Sequence, residues 1–181
     1  MKKIVTAILY ATAGLGVNAA FAVDTSTGPN SVYIQQVGSS NVLTIEQVGG
    51  TNRVGGVTNT TNTVVDGVGI TTLSPSAPSS TNYGTITGST NTLTITQHGN
   101  NNSAQYNIQG GHNGYTSSVT GNDNQTTLTV GDANHATNNY NSINETIAGN
   151  VNMIITNVVG SNNALTTGIT GNSNQVTQNV N

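Results

Sequence analysis

The feature that most constrains this chain is a glycine and an asparagine three residues apart, met again and again at a spacing of eleven. "NSVYIQQVGSS" from Asn30 and "NVLTIEQVGGT" from Asn41 are consecutive copies of one unit, and the same unit returns from Asn91, Asn102, Asn113, Asn141, Asn152 and Asn163. A shorter copy, "NQTTLTVGDA", starts at Asn124, and a truncated one, "NQVTQNVN", starts at Asn174. The recurring pairs are Gly38/Asn41, Gly49/Asn52, Gly88/Asn91, Gly99/Asn102, Gly110/Asn113, Gly121/Asn124, Gly131/Asn134, Gly149/Asn152, Gly160/Asn163 and Gly171/Asn174. A fixed period of this kind means stacked supersecondary units that bury their apolar faces only against one another.

Each unit alternates with period two, the signature of a half-buried strand. Val32, Ile34 and Gln36 share one face, as do Leu43, Ile45 and Gln47, and then Leu93, Ile95 and Gln97. Frequent β-branched residues and a glycine in every unit favour strand over helix. The spacing predicts strands over 31–37, 42–48, 92–98, 103–109, 114–120, 125–130, 142–148, 153–159 and 164–170. Inward residues are expected to include Val32, Ile34, Leu43, Ile45, Leu93, Ile95, Ile108, Val119, Leu128, Ile143, Ile154, Val158, Leu165 and Ile169. Gly38, Gly49, Gly88, Gly99, Gly110, Gly121, Gly131, Gly149, Gly160 and Gly171 are the turn positions, where a backbone without Cβ takes positive φ freely.

Two such strands joined by a turn can face each other, and the next pair can stack on top in parallel. The expected fold is therefore all-β: a cross-β solenoid of two strands per coil, about 22 residues each, rising by the ~4.8 Å strand spacing. Asparagines then stack on asparagines, and buried amides are satisfied by copies of themselves. The expected ladder and self-assembly residues are Asn30, Asn41, Asn52, Asn91, Asn102, Asn113, Asn124, Asn152, Asn163 and Asn174, together with Gln36, Gln47 and Gln97.

The first 22 residues stand apart. "MKKIVTAILYATAGLGVNAAFA" has a basic start, an apolar stretch and a small-residue end at Ala20 and Ala22, which reads as a secretory signal peptide cleaved after Ala22. Cleavage leaves a short leader over 23–29 and Arg53 as the single strong base against six acidic residues. That balance excludes a basic footprint for nucleic acid, and no later segment reads as a membrane-spanning helix. With no cysteine, no disulfide compensates for the polar composition. Stacking has to supply the stability.

Repeats are expected over 30–62 and 88–181, separated by an irregular Pro/Ser-containing loop over 63–87 that holds Pro75 and Pro78. "NTTNTVVDG" is read as a degenerate coil within the break, and the slip near 135–141 as a bulge or short loop. The last repeat is expected to run to Asn181 with Val176 and Val180 in inward phase, leaving uncapped edges that template a second chain.

Asn30, Gln36, Gly38, Asn41 and Gln47 together resemble the curlin repeat: Ser, five residues, Gln, any residue, Gly, two residues, Asn, five residues, Gln. Asn30 stands at the Ser position, and Gln97 is the further Gln kept, while Ile108, Val119, Val130, Ile147, Val158 and Ile169 are aliphatic at the corresponding places. The resemblance implies a secreted, non-enzymatic subunit that polymerises into extracellular functional amyloid of a Gram-negative biofilm matrix, closer to the major than to the minor nucleating subunit. It implies as partners the chain itself, a nucleating minor subunit and an outer-membrane secretion channel, with no cofactor.

Other chemistry has little to stand on. His98, His112 and His135 fall at a strand end, a turn and a strand start, without the convergence of a metal site. Asp123 and Asp132 lie in turns but lack the repeat motif of a calcium-binding solenoid, so they read as solvated charge that slows premature stacking. Catalysis on such a scaffold needs clustered carboxylates. Glu145 alone is expected to face inward, and a register slip near 135–141 accounts for it. The alternative function is a soluble monomeric solenoid binding a surface ligand or ice through Thr92, Thr94 and Thr96, an array broken by Gln105, Asn107, Ser118, Met153 and Ile155.

Overall fold

A computed structural model of the chain describes residues 6–12, 30–55, 58–65, 68–74, 84–131 and 138–181. The leader, Pro75, Pro78, Asp132, Asn134 and His135 lie outside the described residues, as does most of the expected signal peptide. Among the described residues the protein is all-β, with no helix.

The chain runs β1 (Thr6–Thr12), β2 (Ser31–Val37), β3 (Val42–Val48), β4 (Arg53–Val54), β5 (Thr58–Val65), β6 (Val68–Ser74), β7 (Gly84–Thr87) and β8 (Thr92–His98). It continues through β9 (Ser103–Gln109), β10 (Gly114–Thr120), β11 (Gln125–Val130), β12 (Ser142–Ala148), β13 (Met153–Val158), β14 (Ala164–Thr170) and β15 (Gln175–Val180). One parallel sheet has the order β1-β2-β4-β9-β11-β13-β15, with β7 also pairing β2 and β9, and the other has the order β14-β12-β10-β8-β3. From β8 onward, successive strands alternate between the sheets.

Every expected strand is present, except that β13 stops at Val158; β15 continues the series, and β1, which pairs β2, and β4 to β7 lie outside the expected set. Of the expected inward residues all are buried but Leu165, which is partly buried. Alternation succeeds here because a parallel ladder in continuous register leaves each side chain on the face its parity assigns.

Two breaks differ from expectation. The 63–87 segment is not wholly irregular: β5 and β6 form an antiparallel pair, so the described part of "NTTNTVVDG", residues 59–65, is no degenerate coil. The interrupted level is instead assembled from two pieces. β4 takes Ser31 and Val32 of β2 as partners, while β7 takes Ile34 to Val37, so Arg53–Val54 and Gly84–Thr87 together complete one strand's length. Gly84 within it makes room for a neighbour, since a Cβ there would lie 2.5 Å from the ring of buried Tyr106.

The second break also leaves the register intact. β12 pairs β10 and β14 residue for residue, with Glu145 opposite Ser117 and Thr167, so Glu145 faces inward by regular alternation and not by a slip. Before β12, Asn138 occupies the place over Gly110 that a glycine fills elsewhere.

Candidate functional site: the stacked asparagine and glycine turns

All ten expected turn glycines have positive φ, from 83° at Gly131 to 141° at Gly149. A steric reason adds to the conformational one. A Cβ on Gly99 would overlap the carbonyl oxygen of Gly121 and lie 2.7 Å from its carbon, so only glycine permits neighbouring turns to approach this closely. The sequence reading confined left-handed backbone to glycine, but the residue two places further on takes it as well. Thr51 and Val151 have φ 58°, Thr90 and Asn162 φ 62°. For β-branched residues this costs on the order of 1–2 kcal/mol each, and the stacked hydrogen bonds around the turn hold it in place.

The asparagines form two ladders, one on each side of the molecule. In the first, Asn52 N–H donates to Asn30 Oδ1 at 2.9 Å, and the same contact links Asn102 to Asn52, Asn124 to Asn102, Asn152 to Asn124 and Asn174 to Asn152. The second runs Asn41, Asn91, Asn113, Asn141, Asn163 in the same manner. Asn141 belongs to the ladder although it was missing from the expected set, and its place at the start of a repeat was the available signal. Interior amides also donate through Nδ2 to a glycine carbonyl of the next turn, as Asn102 does to Gly121 O at 2.8 Å. Each interior Asn thus satisfies both ends of its amide in a buried position.

A further ladder lies on the solvent side and was not anticipated. Asn100, Asn122, Asn150 and Asn172 follow the turn glycines, and each lower backbone N–H donates to the Oδ1 above at 2.8 Å. Its polarity is opposite to that of the buried ladders. The recurring Gly-Asn dipeptide was its sequence signal.

The glutamines divide. Gln47 Nε2 donates to Gln97 Oε1 at 2.9 Å, which is the expected stacking. Gln36 does not join it: its partner on β7 is Ile86, and its buried Oε1 has no hydrogen-bond partner. At the later positions the aliphatic residues Ile108, Val119, Val130, Ile147, Val158 and Ile169 are buried instead.

Glu145 is fully buried. Tyr115 Oη donates to its Oε2 at 2.7 Å, and Thr156 Oγ1 lies 2.6 Å from its Oε1. Burial pushes its carboxyl above the ordinary carboxylate range, and the two hydroxyls only partly oppose this. Burial, with the neighbouring Glu145, also pushes the Tyr115 hydroxyl up.

His98 is half exposed, with Nε2 3.3 Å from Glu46 Oε1, and His112 stacks on the Tyr140 ring at 4.8 Å. Asp123 is exposed and accepts from Asn101 Nδ2 at 2.6 Å. Among the described residues no group of three or more His, Asp or Glu side chains could hold a metal ion, and no helix is long and apolar enough to cross a membrane. Gln105, Asn107, Met153 and Ile155 belong to the opposite sheet from Thr94. In Thr94's own sheet the same file runs Thr44, Thr94, Thr116, Asn144, Thr166. The neighbouring file runs Glu46, Thr96, Ser118, Thr146, Gly168, so the hydroxyl array is broken by Glu46 at one end and Gly168 at the other.

No family model, curated protein or solved structure matches the chain.

Proposed function

We propose that the chain is a structural subunit: a β-solenoid of two strands per coil that stacks on copies of itself into extracellular cross-β fibres, as its resemblance to the curlin repeat implies. Asparagines 22 residues apart along the chain meet one above the other, which supports a coil of that length.

The observation that carries this reading is the polarity of the ladders. Every interior asparagine offers its Oδ1 to the residue above, but no described residue donates to Oδ1 of Asn163 or Asn174. At the opposite side Asn30 and Asn41 have no described asparagine beneath them to receive their N–H groups. In the two buried ladders one side presents acceptors and the other donors, the exposed ladder running the opposite way, and the edge strands β14 and β3 belong to one parallel sheet with a common strand direction. The two sides are chemical complements, so a second copy continues the ladders. An edge of unpaired backbone groups templates such addition.

The subunit role is scaffold and adhesin of a bacterial cell-surface matrix, with a nucleating minor subunit and an outer-membrane secretion channel as the further partners. Purified residues 23–181 are expected to form fibres that bind thioflavin, accelerate with seeds and diffract at the ~4.7 Å strand spacing. A persistent monomer without that reflection overturns the proposal. The second reading, a soluble solenoid that binds ice or a surface ligand, rests on the hydroxyl files through Thr94 and Thr96 and predicts thermal hysteresis from that monomer.

A further inference from the structure

The core changes character along its length. At the middle inward position of each strand, one sheet carries Ile45 and Ile95 and then Ser117, Glu145 and Thr167, while the other ends in Thr156 and Gln178. An apolar file thus turns polar in the second half, with a carboxyl at its centre. The fibre reading makes no use of that carboxyl, and the repeat does not require it.

We propose that Glu145 is a built-in proton switch: the chain folds around the acid form of this side chain, so that folding and stacking take up a proton and are favoured by acidic surroundings.

Four observations carry this. First, the groups packed against Glu145 include no described positive charge. Ser117 and Tyr115 face it from β10, Thr156 from β13 and Thr167 from β14, and of these only Tyr115 titrates. An unpaired buried carboxylate is among the most costly groups a core can hold, and it neutralises by taking a proton.

Second, the donors and acceptors balance with that proton in place. Thr156 has one hydroxyl hydrogen but lies near two acceptor oxygens, Glu145 Oε1 at 2.6 Å and Gln178 Oε1 at 3.5 Å. If Glu145 carries the proton on Oε1, a single directed chain results: Tyr115 O–H to Glu145 Oε2, Glu145 O–H to Thr156 Oγ1, and Thr156 O–H to Gln178 Oε1. Thr167 donates to the same Gln178 oxygen at 2.7 Å, which fills its second lone pair.

Third, the Tyr115 hydroxyl cannot compete for the negative charge, because burial and the adjacent Glu145 hold it neutral.

Fourth, burial raises the carboxyl in the folded chain, which sets the sign of the response. Below the unfolded-state value of about 4.3, folded and unfolded chains both hold the proton and the acid form's stability is fully present. As pH rises from there towards the folded-state value, the folding equilibrium falls about tenfold per unit. Above the folded-state value it levels off.

The test compares the full mature chain with Glu145→Gln, whose amide is neutral at every pH and keeps the shape. Urea unfolding of freshly desalted protein from about pH 4 to 9 is expected to show the tenfold-per-unit decline in the wild type and to lose that component in the variant. Superimposable profiles overturn the proposal. Infrared spectroscopy supplies a readout that survives a poorly folding variant: at a pH where exposed acids are ionised, the folded wild type should retain a protonated-carboxyl carbonyl band, and its absence refutes the switch. Fibre lag times, which alone rest on the assembly reading, should shorten on acidification. If no fibres form at any pH while the unfolding slope and infrared band persist, the assembly reading fails and the switch stands.

Discussion

Gly99→Ala and Gly160→Ala make the same chemical change at equivalent turns, yet the structure assigns them different costs. Both positions have positive φ, 124° and 98°, so both variants carry the left-handed penalty of about 1–2 kcal/mol. At Gly160 nothing more is added, because the new Cβ meets only Asn163 Nδ2, at 3.8 Å. At Gly99 it overlaps the Gly121 carbonyl, and the turns must separate. Several bonds hold them together: Gly121 N–H to His98 O at 2.9 Å, Asp123 N–H to Asn100 O at 3.0 Å, Asn100 N–H to Asn122 Oδ1 at 2.8 Å, and Asn102 Nδ2 to Gly121 O at 2.8 Å. Losing two or three of these at about 1 kcal/mol each brings the Gly99→Ala cost to about 3–5 kcal/mol, a large part of the roughly 5–15 kcal/mol available to a domain. Urea unfolding of the monomer, with a shared m-value, measures the difference. Equal losses for the two variants refute the close-approach argument. In fibres the ranking changes: Gly160 would then sit beneath the next copy, so Gly160→Ala should slow seeded elongation far beyond its effect on monomer stability.

The buried and exposed asparagine ladders should also part company. Asn113→Ala removes the acceptor for both Asn141 N–H and Asn141 Nδ2 and is expected to cost about 2–3 kcal/mol, whereas Asn122→Ala in the solvent-side ladder should cost under about 1 kcal/mol by the same denaturant assay. For the glutamines, Gln36→Leu should be neutral or stabilising, because its Oε1 is already unsatisfied beside Ile86, while Gln97→Leu leaves Gln47 Nε2 only its 3.5 Å contact with Ser31 O, removes the Gln97 bond to Arg53 O, and should destabilise by about 1–3 kcal/mol. A larger loss for Gln36→Leu than for Gln97→Leu, read as a shift in melting temperature, contradicts that account.

The period-two alternation and the glycine spacing by themselves determined the strands, the inward residues and the turn positions. These are local properties: parity fixes which face a side chain takes, and a backbone crowded against its neighbour admits only glycine. The asparagine ladders were legible for the same reason, since a residue that recurs at the unit length must meet its own copy in a parallel stack. Tertiary structure decided what depends on partners far apart in sequence. That Gln36 faces Ile86 and not another glutamine follows from the insertion that splits one level between Arg53–Val54 and Gly84–Thr87, and no local pattern announces which distant tetrapeptide resumes a broken strand. Residues 58–65 and 68–74 pair with each other because, displaced from the stack, they find antiparallel partners at short range. Glu145 is the clearest case. Its parity placed it inward, but whether an inward carboxyl is a slip or a satisfied core group depends on Tyr115 and Thr156, which reach it from strands 30 and 11 residues away along the chain and meet it only once the sheets are stacked.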